Sequence, residues 1–165
     1  MRKIQLECIV YRKMGNKIEF LLMKRIPEKG GFWQPPCGGM EKRDKSFKDT
    51  AFRELSEEAN ISKKDILQII ENVHYFEINK HYITGEPIPT IKEVVFGFEV
   101  KPNTKISINK NICTEHERFK WVSFKEAIKI LKWDNNKEAL KKLNCLLKKT
   151  EIKSKQLWAE AHSIE

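Results

Sequence analysis

Residues 38–61, GGMEKRDKSFKDTAFRELSEEANI, decide how the rest of the chain is read. A glycine pair opens the stretch, a charged loop follows, and an amphipathic segment closes it. Phe47, Ala51, Leu55 and Ala59 recur every four residues with Phe52 beside them, which predicts a helix over about 46–59 with one apolar stripe. Asp44 or Ser46 can cap its start. Asn60 suits the left-handed residue that ends many helices. Arg53, Glu54, Glu57 and Glu58 crowd into six positions of this helix.

At about 100° per residue, Glu54 and Glu58 fall on one flank of the stripe, and Glu57 lies further round the same side. Arg53 precedes Glu57 by four residues and can brace it. Three carboxylates this close repel one another unless a positive charge sits among them. Arg53 offers one; a divalent ion with oxygen ligands, Mg²⁺ or Mn²⁺, would offer more. A solvated acidic helix face is the competing reading. The glycine pair would let backbone approach a ligand or metal closely.

Ahead of this stretch, KIQLECIVY at 3–11 and IEFLLMKR at 18–25 read as two strands joined by a turn at MGNK. The segment IPEKGGFWQPPCGG is loop chemistry, rich in proline and glycine. Its Phe32 and Trp33 either stack on a base or cover the core. Arg25, at the strand end, reads either as a phosphate contact or as a solvated arginine. After the helix, 67–79 and 90–100 are strand-like, the second with Val94, Phe96, Phe98 and Val100 on one face and Glu93 and Val95 on the other. KPNTKISINKN is a polar connection, FKWV at 119–122 a short strand, and Ser123-x-x-Glu126 a capping box opening a helix. A last helix is expected at about 135–148. The expected organisation is one domain over 1–150 and a C-terminal tail over 151–165 that packs as a short helix or frays.

With 165 residues, 40% hydrophobic and 33% charged, the chain can build its own core. No apolar run approaches the roughly 18 residues of a membrane span, and MRKIQLECIV lacks the pattern of a secretory signal. The expectation is therefore cytoplasmic, with no membrane partner. The four cysteines form no metal-binding spacing, so Cys8 reads as a core residue and Cys37 as one nearer a cleft. A net charge of +9 suits an anionic partner. The lysines are scattered, without the stripe of a nucleic-acid module, so nucleic acid is not expected.

The stretch resembles the Nudix box, G-x5-E-x7-R-E-U-x-E-E-x-G-U, where U is bulky and apolar. Gly39, Arg53, Glu54, Leu55, Glu57, Glu58 and Ile61 match it in register. Asn60 replaces a glycine, and Lys45 stands where the box has its first glutamate. The resemblance covers roughly residues 1–147 and implies an α/β/α sandwich with a central mixed β-sheet. It implies hydrolysis of a diphosphate linkage in a nucleotide with Mg²⁺ or Mn²⁺. It makes Glu57, Glu58 and the Gly38 carbonyl metal ligands, Glu54 a ligand or the general base, and Arg53 the residue that orients them. Glu115 is the second base candidate, while His116 reads as polar surface and Glu93 as a salt-bridging residue. Arg25, Phe32, Trp33 and Lys45 are the expected substrate contacts.

Looser features are similar to the dNTP pyrophosphohydrolases, including those acting on dihydroneopterin triphosphate: Phe32-Trp33-Gln34, Thr114-Glu115-His116, Trp121 and Trp133-Asp134-Asn135-Asn136. The alternatives are a diadenosine polyphosphate hydrolase, and a nucleotide-binding module whose catalysis Lys45 impairs.

Overall fold

A computed structural model describes residues 3–108 and 115–162. Its strands are β1 (Lys3–Met14), β2 (Lys17–Arg25), β3 (Trp33–Gln34), β4 (Cys37–Gly39), β5 (Ile66–Lys80), β6 (Pro87–Val100) and β7 (His116–Ser123); its helices are α1 (Phe47–Ala59), α2 (Phe124–Ile130) and α3 (Asp134–Ala161). The strands form one mixed sheet in the order β3-β2-β1-β6-β5, with β4 on β1 and β7 on β2. Only β1 and β6 run parallel among the pairs; the others are antiparallel.

Alternation along the strands creates two cores. Leu6, Cys8 and Val10 of β1 join Val94, Phe96 and Phe98 of β6 against Ala51, Leu55 and Ala59 of α1. Ile9 and Tyr11 join Val95 against Ala127, Ala139, Leu140 and Leu143 of α2 and α3. The result is the expected sandwich, with α1 on one face and α2 and α3 on the other. Burying one large aliphatic side chain in either core is worth about 1.5–3 kcal/mol. Gly97 lets α3 come close to β6, since a Cβ there would lie 2.7 Å from Leu143 Cδ1.

The sheet is split where the site forms. β1 pairs with β2 only over Tyr11–Met14, and its earlier residues Gln5, Leu6 and Glu7 pair with β4 instead. The glycine pair is thus part of a short strand that lies between β1 and the start of α1.

Local signals set the ends of α1. Ser46 accepts a hydrogen bond from the Asp49 N–H, and Asn60 closes the helix at φ 57° and ψ 30°. Asp44, the other cap candidate, is engaged elsewhere. The connection after β6 is less polar than its composition suggests, because Thr104 is buried and Ile106 and Ile108 pack on the α1 core. The last helix does not end near 148 but continues to Ala161, exposed throughout from Lys148. No helix of the described residues is long and apolar enough to cross a membrane.

Candidate active site

Arg53 is the hub of the cluster on α1. Its Nη1 donates to Glu54 Oε1 at 2.6 Å and to Glu57 Oε2 at 3.3 Å. Its Nη2 donates to the Gly39 carbonyl and to Asp44 Oδ2, both at 2.8 Å, and Nε reaches Asp44 Oδ1 at 3.2 Å. The guanidinium therefore ties the helix to β4 and to the charged loop at once. A planar fork with fixed donors suits this role better than a lysine ammonium.

Glu54 is buried and lies directly on Gly38: a Cβ at that position would collide with the Glu54 carboxyl group. Only glycine leaves room for it. Burial pushes the Glu54 carboxyl above its ordinary range, against the pull of Arg53. Glu58 is pushed up further, first by burial and then by repulsion from Glu54. It accepts the Cys37 N–H at 2.9 Å, and its Oε1 lies 3.7 Å from His116 Nδ1. Glu57 is half exposed and turned to Arg53 and to Arg43, the latter at 3.2 Å.

Asp44 reads in the sequence as a cap candidate out of register with the box acid, and the structure gives it another place. Arg53 grips it in a two-point pair, Thr50 Oγ1 donates to it at 3.1 Å, and the Glu41 N–H donates at 2.9 Å. Its hydrogen bonds to Arg53 hold its carboxyl well below the usual carboxylate range. Lys45 is exposed, and its backbone N–H donates to Asp49. The signal was present in the sequence. With Gly38 taken as the first glycine, Asp44 falls at G-x5-D, and one extra residue then precedes Arg53.

A second group borders the cluster. Glu115 lies 2.7 Å from Lys29 Nζ and 3.4 Å from Arg25 Nη1. Partial burial would raise its carboxyl, but Lys29 and Arg25 hold it below its ordinary range. Glu115 is near enough to add to the repulsion on both Glu54 and Glu58. Arg25 is not solvated: it is 9% exposed, donates to the Lys29 carbonyl, and lies 5.3 Å from the Tyr82 ring and 5.9 Å from Phe32. His116 is not polar surface either. It is 2% exposed, and burial together with Arg25 lowers its pKa to about 4, so it is neutral at pH 7.

Phe32 is buried edge-on between Tyr82 and Trp133, with ring centroids 5.9 and 5.5 Å away. Trp33 packs with the core under α2 and α3, with Lys120 Nζ 5.0 Å from its ring centroid. The structure thus gathers Gly38, Arg53, Glu54, Glu57 and Glu58 into one cluster and brings Arg25, Glu115 and Phe32 to its border. Trp33 packs against the second core, Lys45 is exposed beside Asp44, and Thr114 lies outside the described residues. Glu93 is 2% exposed on β6, and among the described residues it forms no salt bridge and no partner reaches its Oε2.

Chemically, a rigid helix face presents hard oxygen donors beside two cations that can meet an anionic ligand. That combination marks a hydrolase of phosphate-bearing compounds. The chain belongs to the NUDIX domain family, which matches residues 1–143. It is 32% identical over 139 residues to an asymmetrical bis(5'-nucleosyl)-tetraphosphatase of Caenorhabditis elegans, covering 84% of this chain and 92% of that protein. It is 33% identical over 140 residues to a dihydroneopterin triphosphate diphosphatase of Haemophilus influenzae, covering 81% of this chain and 82% of that protein. The crystal structure of a C. elegans Ap4A hydrolase binary complex superposes with a TM-score of 0.72 at 25% identity, covering 88% of this chain and 97% of that one. The protein is thus a Nudix-type pyrophosphohydrolase acting on nucleoside diphosphate-linked compounds.

Nudix hydrolases generally require a divalent metal such as Mg²⁺ or Mn²⁺. The donor chemistry here fits one. Glu54 and Glu58 present carboxyl oxygens raised first by burial and, for Glu58, also by repulsion from Glu54, a state that a nearby cation relieves. Among the described residues, no three His, Cys, Asp or Glu side chains converge closely enough to hold an ion as they stand. Glu57 is held by the two arginines, Arg43 and Arg53.

Proposed function

We propose that the protein hydrolyses a nucleoside triphosphate or a related compound and releases pyrophosphate. The observation that carries the reading is the seat of Glu54 on Gly38, locked by Arg53 beside Glu58. Glu54, Glu57, Glu58 and the Gly38 carbonyl would hold Mg²⁺ or Mn²⁺. When bound, the ion supplies charge neutralisation on the phosphates and a more acidic water.

The chain's own residues do the rest. Arg53 keeps the carboxylates in place. Arg25 and Lys29 receive the phosphates, and in doing so release Glu115 from its ion pairs. Glu115, ionised at neutral pH, then takes the proton of the attacking water as general base. Glu54 is less free for that task, since Arg53 and Gly38 confine it. Asp44 supplies the acid that the box register assigns to position 45, so Lys45 does not impair catalysis.

A panel of dNTPs, dihydroneopterin triphosphate, dinucleoside polyphosphates and ADP-ribose with Mg²⁺ or Mn²⁺, followed by product identification, tests the reading. Pyrophosphate with a nucleoside monophosphate supports it. A mononucleotide with a nucleoside polyphosphate supports the second reading, a dinucleoside polyphosphate hydrolase, which the 32% identity to the C. elegans tetraphosphatase favours.

A further inference from the structure

The second half of α3 leaves the domain. Leu143 and Leu147 pack in the core on that face of the sheet, whereas residues 148–161 are exposed throughout and run on for about 20 Å. The apolar stripe does not stop where the packing stops. At about 100° per residue, Leu143, Leu147, Thr150, Ser154, Leu157 and Ala161 share one face of the helix within roughly 80° of arc. Leu146 and Trp158 flank this face. Leu146 is 40%, Leu157 57% and Trp158 65% exposed, while Ile152 lies off the stripe.

The two polar members of the stripe are satisfied inside the helix. Thr150 Oγ1 donates to the Leu146 carbonyl and Ser154 Oγ to the Thr150 carbonyl, both at 3.0 Å. Small residues with engaged hydroxyls let a second helix come close between the leucines. A helical segment of this length gains most of its stability from packing its apolar face. Thr150, Ile152 and Ser154 are weak helix formers, so residues 148–161 need a partner along the stripe.

The charges beside the stripe select that partner. Lys153 and Glu160 lie on one border and Glu151 on the other. An anionic bilayer or a nucleic acid would meet Glu151 and Glu160 at the contact and be repelled. A second copy laid antiparallel meets charges in the opposite order. With a two-fold axis between Gln156 and Leu157, Lys153 of each copy lies opposite Glu160 of the other, on the same flank. Leu157 and Trp158 then come to the centre of the contact, with Ser154 and Ala161 beside them.

We propose that residues 148–161 pair antiparallel with the same segment of a second copy of this chain, Leu157 and Trp158 forming the centre of the contact and Lys153–Glu160 pairs closing both ends. A two-fold contact of one surface with itself is closed, so assembly stops at the dimer. The surface is small, and the dimer forms at micromolar rather than nanomolar concentration.

Sedimentation velocity on the full-length chain from about 1 µM to about 1 mM tests this. The sedimentation coefficient should rise with concentration from monomer to dimer and no further. Leu157→Asp and Trp158→Glu change exposed positions, so the thermal melt of the domain is kept, and each should weaken the dimer at least about tenfold. Lys153→Glu and Glu160→Lys should each weaken it by about threefold to tenfold, and the two together in one chain should restore it to within about twofold of wild type. A chain that stays monomeric to the highest concentration overturns the proposal. So does a dimer that survives Leu157→Asp and Trp158→Glu, a charge exchange that fails to restore association, or a monomer that binds anionic phospholipid vesicles through Trp158.

Discussion

Arg53 divides its donors among Asp44, Glu54, Glu57 and the Gly39 carbonyl, so each acceptor removed leaves part of a largely buried cation unpaired. Asp44→Ala is expected to lower kcat/KM by about tenfold to a hundredfold, the cost typical of a residue that orients ligands. Lys45→Ala and Lys45→Glu should each change it by less than about threefold, because the side chain is exposed. Steady-state kinetics on all three variants checks this, and a large gain for Lys45→Glu would restore the reading of a chain impaired at that position. Glu7 allows a second test. Burial raises its carboxyl to about 7 in the folded chain, against the pull of Asn136. A raised folded value means the folded state binds the extra proton. Its stabilising effect is therefore complete below the unfolded value and disappears as pH rises through about 7. Urea melts of wild type against Glu7→Gln should diverge as pH rises from about 4.5 to about 7 and run parallel above, the variant then being the more stable by on the order of 3 kcal/mol. Parallel stability curves from pH 5 to 9 would contradict the burial of an ionisable Glu7.

At the scale of the element, α1 was legible in the sequence because its signals are local. Its apolar residues repeat with the helical period, Ser46 caps one end, and Asn60 takes the left-handed conformation at the other. Ser46→Ala should cost about 1 kcal/mol in a thermal or urea melt. The strands were legible as elements but not in their polar members. An acid between apolar residues reads as the outward position of a half-buried strand, as Glu7 and Glu93 do. Their burial is decided by α3, whose Asn136 lies 129 residues away from Glu7 in the chain. His116 was misread for the same reason, since Glu58 lies against it from a distant segment. The close approach of α3 to β6 at Gly97 gives another expectation: Gly97→Val collides with Leu143 and should cost about 1–3 kcal/mol. An unchanged melting temperature would show that the helix can shift at that point.

For the molecule as a whole, the split between β1 and β2 is what joins the parts. It admits β4, and β4 presents Cys37 and Gly38 to both faces of the sheet: Glu54 and Glu58 on one side, Glu7 on the other. The net charge of +9 is consistent with an anionic substrate, and Arg25 and Lys29 are the cations paired with Glu115 at the border of the cluster. The central claim is that the carboxylates organised by Arg53 carry out metal-dependent hydrolysis. It is tested most directly by pyrophosphate release from the best substrate, in Mg²⁺ and in EDTA, for wild type and Glu58→Gln at equal thermal stability. Wild type should release pyrophosphate with Mg²⁺ and none above background in EDTA, and Glu58→Gln should lose about two orders of magnitude or more. Wild-type rates in Glu58→Gln, or turnover undiminished by EDTA, would contradict it.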